Sequence, residues 1–441
     1  MAFDSEELNR RKAIREKQRQ QRAAQQKRLR NKLILAAAVL VGCAVLIIAV
    51  SRGSAGRNAI QAPDTLDGQL SGTVAATTQA TEETEPVYTT QPAQTVIRLA
   101  AAGDLNINDA VVNSGGVGRD YTRLLMDVMP LLTDADLTFL NFEGNAVGQP
   151  YGSENYSAPP ELLTALVKAG VDMVQVANSR SISNGMIGLA STLEALRGAG
   201  LDTVGAYATV EEAKRAGGYT IRDVNGVKIA FVAFTKGMDS MALPEGSEQC
   251  INLLYTDYAT TYQDVDEETI ERVLKAARQE KPDLIIALLH WGSEYNDMIS
   301  DTQLEIIDLM YEGGVNAIIG THPHYVQSVE FDRDKGRFLC YSLGDFVSDT
   351  VRPGTEYSMV LELEVTKDND TGETRITDYS YTPIFTVSEG ETFKIVRMGQ
   401  AIQTYDQNNI DAVEDDTYDD LIYGMERVSS RVASTAEVEE D

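Results

Sequence analysis

Apolar and polar positions divide the chain into three regimes. From Leu33 to Val50 it reads LILAAAVLVGCAVLIIAV, an unbroken run without a charge. As a helix this run is about 27 Å long, against a hydrocarbon core of roughly 30 Å, which predicts one transmembrane helix. A cleaved signal peptide is the competing reading, but its apolar core is usually shorter, so an uncleaved anchor is the preferred one. From Ser51 to Gln94 large apolar side chains give way to Ser, Thr, Gln, Gly and Ala, the composition of a flexible stalk. From Thr95 apolar runs return and alternate in kind. VIRLAAAGD, DLTFLNFE, VDMVQVAN, VKIAFVAFT, DLIIALLH, VNAIIGTHPH and FLCYSLGDF read as strands. YTRLLMDVMPLL, PELLTALVKAG, IGLASTLEALRGAG, TIERVLKAARQE and TQLEIIDLMYEGG carry helical spacing between them. The alternation predicts an α/β fold with a largely parallel sheet covered on both faces. Two later strands, YSMVLELEVTK and ETRITDYSYTPIFTV, read as an antiparallel pair turning near Asp368–Gly372.

Five segments follow: a basic cytoplasmic piece (1–32), the anchor (33–50), the stalk (51–94), an outer domain (95–403) and an acidic tail (404–441) expected to be partly disordered and solvated. Charge orients them. Eleven Lys and Arg residues against four acids precede the apolar run, which keeps the N-terminus in the cytoplasm and sends the main domain outside the cell. The whole chain carries a formal charge of -29, which excludes general nucleic-acid binding for want of a basic footprint. Its three cysteines cannot build a disulfide framework. Cys250 and Cys340 are the one pair that would lie outside the cell, yet Cys340 sits in a strand-like run and reads better as core.

In open α/β sheets ligands gather at the carboxyl ends of the strands. Here those ends carry Asp104, Asn141, Glu143, Asn178, His290, His322 and His324. The chain has three histidines in all, and every one falls at such an end. Singly, each residue has a plainer reading: Asp104 as a cap after Gly103, Glu143 as a solvated loop acid, His290 as a packed histidine. His322-Pro323-His324 is more specific, because residues two apart in extended chain face the same way. Imidazole with carboxylate suits Mn, Zn or Fe better than Mg or Ca. The Ser114–Gly118 glycine run lacks the lysine of a phosphate-binding loop and reads as a turn. Trp291 and Tyr295 either line the cleft or pack beneath it, and Tyr156 either borders its mouth or belongs to the lead-in to the next helix.

The ordered set GDLNIND, NFEG, VANSRSISNGMIGLASTLEAL, HWGSEY, IIGTHPHYVQSVE and YSLGDF, from Thr95 to Phe385, resembles the CapA (PGA_cap) family of poly-γ-glutamate capsule synthesis proteins. The resemblance implies a metallophosphoesterase-like layered α/β/β/α sandwich behind the single transmembrane helix. It also implies a dinuclear centre whose ligands or near neighbours are Asp104, Glu143, His290, His322 and His324. Asn178 and Trp291, at or beside the strand ends, are the candidate substrate contacts. The implied roles are capsule or other envelope-polymer synthesis at the cell membrane, on an anionic polymer or phosphoester, beside other capsule-synthesis membrane proteins. One block departs from the family pattern Ala-Asn-Asn-His-Ala-Leu-Asp-Tyr-Gly: this chain reads Ala177-Asn178-Ser179-Arg180-Ser181-Ile182-Ser183-Asn184-Gly185. The expected ligand asparagine is Ser179 and the expected catalytic histidine is Arg180. Arginine stays protonated, so Arg180 cannot shuttle a proton, but it can steady an anionic oxygen as the catalytic residue. Two functions stay open: a metal-dependent hydrolase, or a catalytically weakened binding or assembly component.

Overall fold

Strands apolar on both faces must be covered on both faces, and the computed structural model resolves this demand with two sheets rather than one. It describes residues 93–390, 392–406 and 415–434. The expected anchor and stalk lie outside the described residues, and no helix among those described is long and apolar enough to cross a membrane.

The first sheet runs β14 (Thr392–Arg397), β13 (Thr374–Glu389), β12 (Tyr357–Asp368), β1 (Gln94–Asn106), β2 (Leu137–Glu143), β3 (Met173–Gln175) and β4 (Asp202–Val204). A short β11 (Asp345–Val347) pairs with β1 in parallel near its end, setting Asp104 opposite Asp345. The second sheet runs β5 (Tyr219–Val224), β6 (Val227–Thr235), β7 (Leu284–His290), β8 (Ala317–Thr321), β10 (Arg337–Cys340) and β9 (Val329–Asp332). The β1–β2–β3–β4 and β6–β7–β8–β10 blocks are parallel; β12, β13 and β14 are antiparallel, as are the β5 and β9 edges.

Alternation along each strand assigns its side chains to layers. Ile97, Leu99 and Ala101 of β1 meet Ile229, Phe231 and Ala233 of β6 and Leu284, Ile286 and Leu288 of β7 in a core between the sheets. Phe139 and Phe231 touch edge to face across it, with ring centroids 5.4 Å apart. The intervening residues face outward. Ala100 and Ala102 join Leu162, Leu163, Leu189 and Leu193 of the helices Pro160–Lys168 and Gly185–Ala199. Ala230, Val232, Ile285 and Ala287 join Ile270, Val273 and Ile306 of Glu267–Gln279 and Asp301–Glu312. Helices thus cover the outer face of both sheets. Cys250 and Cys340 are both buried and unbonded, and Cys340 packs in the core between the sheets.

Part of the acidic segment after residue 404 folds. Residues Asp415–Val432 form a helix whose Leu421, Val428 and Val432 are buried in the core between the sheets. Its acids lie on the other positions, so charge content masked an amphipathic helix.

Candidate metal centre

Parallel strands all end on one edge of each sheet, and the two sheets present those edges to a common point. Asp104 sits near the end of β1, Glu143 ends β2, His290 ends β7, and His322 and His324 follow β8 at once. All five are buried. The two histidines after β8 take left-handed backbone at φ 96 and 59, where L side chains are rarely found. Such strain persists only where surrounding structure holds it, and it gathers at functional sites.

A chain of amides fixes the first acid. Asn178 Nδ2 donates to Asn141 Oδ1 (3.0 Å) and Phe142 O (2.8 Å), and Asn141 Nδ2 donates to Asp104 Oδ1 (2.6 Å). The His322 backbone N–H donates to Asp104 Oδ2 (2.9 Å). His324 Nδ1 donates to Asp345 Oδ1 at 2.7 Å, which leaves its Nε2 for another partner, as in carboxylate–histidine–metal arrangements. His290 Nε2 is 2.9 Å from the Ser179 hydroxyl, and its Nδ1 is 3.2 Å from Thr321 Oγ1. The rings of His290 and His322 are 4.5 Å apart.

Burial dominates the electrostatics. It pushes the Asp104 carboxyl up to about 6. It pushes Glu143 up to about 8, with the charge of Asp104 adding to the effect. It holds His290 and His322 well below the ordinary imidazole value. Burial also opposes charge on His324, but the carboxylates of Asp345, Glu143 and Asp104 outweigh it and raise that ring well above its usual range. Buried acids and imidazoles crowded this closely are a costly arrangement that a bound cation relieves.

The donor set passes a direct test of fit. Potential ligand atoms of Glu143, His290 and His322 converge within 4.8 Å, as do those of Asp104, Glu143 and His324. These two sets use all five expected ligands and share Glu143. Glu143 Oε2 and His322 Nδ1 are buried with no hydrogen-bond partner, the condition of an atom reserved for a ligand. A third set brings in exposed Glu294 with His322 and His324, a residue the sequence reading did not single out.

Arg180 is at the site: it lines a cavity of about 320 Å3 with His324 and Asp345, and its Nη1 pairs with Asp239 Oδ2 at 2.5 Å. Tyr295 and Tyr156 line the same cavity. Asn178 is no substrate contact, because its amide is spent on Asn141 and Phe142 and its Oδ1 accepts the Arg180 N–H. It braces Asp104 from behind.

Trp291 also moves from cleft to core. It is fully buried, stacks on Tyr341 and donates Nε1–H to Tyr341 O at 2.9 Å. Trp291→Ala is therefore expected to cost about 3–5 kcal/mol of stability, measured by urea unfolding; a cleft-wall tryptophan would cost far less. Lys236, Asp239 and Glu294 line a second cavity of about 380 Å3 that reaches His322 and Ser179. They lie in loops after β6 and β7, where no periodicity marks them.

The family described as "Bacterial capsule synthesis protein PGA_cap" matches residues 98–350, more than half of the chain. This chain belongs to the PGA_cap family. It is 29% identical over 265 residues to the capsule biosynthesis protein CapA of Bacillus anthracis, covering 58% of this chain and 60% of that one. It is 26% identical over 259 residues to the PGA biosynthesis protein CapA of Bacillus subtilis, covering 57% and 63%. The chain thus spans about three-fifths of the length of these relatives. Among solved structures, a phosphatase from Mycoplasma pneumoniae aligns with a TM-score of 0.40 and 14% identity, over 66% of this chain and 94% of that one. The match of PGA_cap ends before β12, so the antiparallel strands β12 to β14 and the helix Asp415–Val432 lie beyond it.

Proposed function

We propose that this PGA_cap member is a membrane-tethered, metal-dependent hydrolase-like protein of capsule or other envelope-polymer synthesis. The observation that carries the reading is the pair of ligand sets sharing Glu143, with Glu143 Oε2 and His322 Nδ1 buried and unpartnered. Glu143, His290 and His322 would hold one ion, and Asp104, Glu143 and His324 a second. Mn, Zn or Fe suits imidazole with carboxylate. A bound pair supplies Lewis-acid polarisation of a substrate oxygen and activation of water.

The chain's own residues do the rest. The Asn178–Asn141–Asp104 chain and the Asp345–His324 bond orient ligands before substrate arrives. Arg180, permanently charged, steadies negative charge growing on a phosphoryl or acyl oxygen. No histidine replaces the one the family pattern carries at position 180, so a proton must reach the leaving group from solvent or another side chain.

A second reading is that of a weakened member that binds polymer or assists assembly. It is favoured by the Ser179 hydroxyl at 2.9 Å from His290 Nε2, which engages one of the two ring nitrogens a metal could use. The two readings part on turnover. The first predicts hydrolysis of a phosphodiester or γ-glutamyl peptide in the presence of Mn, lost in Glu143→Ala. Binding without turnover across both substrate classes supports the second.

The apolar run 33–50 and the basic segment before it support a single-pass anchor with the main domain outside the cell. On this account protease added to intact cells removes the domain but spares the N-terminal segment. A domain protected until lysis contradicts that placement.

A further inference from the structure

Two guanidinium groups from distant parts of the chain, Arg180 and Arg352, line the cavity of about 320 Å3 beside His324. Each lies over a tyrosine ring: Arg180 is 3.9 Å from the Tyr156 centroid, and Arg352 is 4.0 Å from that of Tyr295. Both tyrosines hold left-handed backbone, at φ 48 and 58, so strained turns set both platforms. Stacking occupies the face of a guanidinium and leaves its edge, a fork of N–H donors, for an anion. Arg180 Nε is buried and without a hydrogen-bond partner among the described residues. Arg352 is exposed at the rim.

Two acids share the cavity, and both are engaged locally. Asp345 accepts from His324 Nδ1 at 2.7 Å, and Asp349 accepts from the Val351 N–H at 3.2 Å. Asp239, which holds Arg180, lines the second cavity along with Ser179 and His322. The Arg180–Asp239 pair thus links the wall of one cavity to the wall of the other. Its members are 22% and 38% exposed, and an ion pair so open to water is readily exchanged for a better-matched anion.

We propose that Arg180 and Arg352 clamp one anionic group of the substrate, a carboxylate or a phosphate oxyanion, and that this group displaces Asp239 from Arg180. The clamp rests on the reading of this cleft as a substrate site and adds what the metal set lacks, a charge-selective subsite beside it. Displacing Asp239 also breaks that link between the two walls, so the substrate can extend from one cavity into the other across the centre.

The test is calorimetric titration of the full chain with two probes, inorganic phosphate and glutarate, before and after chelation of metal. At least one probe binds, and Arg352→Ala weakens it about tenfold or more. Arg352→Lys recovers only part of the loss, since an ammonium offers no fork. Asp239→Asn tightens binding several-fold by removing the competitor, a direction that loss of packing does not produce. Phosphate binding alone assigns a phosphoester group, and glutarate binding alone a carboxylate group. Binding of neither probe, or equal affinity in Arg352→Ala, overturns the clamp; weaker binding in Asp239→Asn overturns the displacement. Metal content of the same samples keeps the two readings apart. Arginine-dependent binding without metal leaves the clamp and removes the hydrolase; metal without arginine dependence does the reverse.

Discussion

Asp104→Ala is expected to strip the centre of one ion and weaken the other, with metal affinity falling at least about 100-fold. One carboxylate here does three jobs. It offers a ligand atom to the set with Glu143 and His324, accepts the Asn141 amide at 2.6 Å, and accepts the His322 N–H at 2.9 Å. Removing it frees the turn that carries His322 and the side chain of Asn141 on β2, so the damage spreads to the set it does not belong to. The metal-free protein should also lose some stability of its own. Two buried donors lose their acceptor, at about 1–3 kcal/mol each, but a buried acid whose pKa sits near 6 is also removed, and that offsets part of the cost. Thermal unfolding with and without added Mn separates the two effects. Wild type should gain stability on Mn addition and Asp104→Ala should gain little. An equal gain in both would mean that Asp104 is no ligand.

Gly103→Ala should prevent folding or cost more than about 4 kcal/mol. A Cβ there would fall 1.7 Å from Gly344 O and 2.8 Å from Gly344 C. Both obstacles are backbone, and Gly344 O also accepts the Asp104 N–H at 3.1 Å, so neither side can retreat without breaking the β1–β11 approach. Gly198→Ala supplies the opposite sign. Gly198 is exposed in the helix Gly185–Ala199 with nothing within 4 Å of a new Cβ, and alanine there should stabilise by about 1 kcal/mol. Denaturant unfolding of the two variants measures both. A mild effect at Gly103 would mean that β1 and β11 are not packed this tightly.

The sequence made the strands and their ends legible for one physical reason. A strand buried on both faces has no polar position to spare, so the first polar residues after it are conspicuous. Asp104, Glu143, His290, His322 and His324 were found in this way, and the structure brings them together. The division into two sheets was not visible in the apolar runs, since a residue facing the inner core and one facing a helix are both simply hydrophobic; it came from resemblance. Trp291 was open between cleft wall and core, and its burial decides for core: it follows His290 directly, and alternation along a strand sends adjacent side chains to opposite sides. The helix Asp415–Val432 carries Leu421, Val428 and Val432 at helical spacing, a signal outweighed by the acids around it. Arg352, Asp239 and Glu294 left no mark at all, because loops place them through turns that hydropathy does not encode.

The most direct test of the account is the metal content of the purified full chain, by elemental mass spectrometry, beside the His322→Ala/His324→Ala double variant. The account predicts about two equivalents of Mn, Zn or Fe per chain, lost in the variant. A wild-type chain that holds no transition metal, even after reconstitution, would contradict it and leave the cleft as a binding site alone.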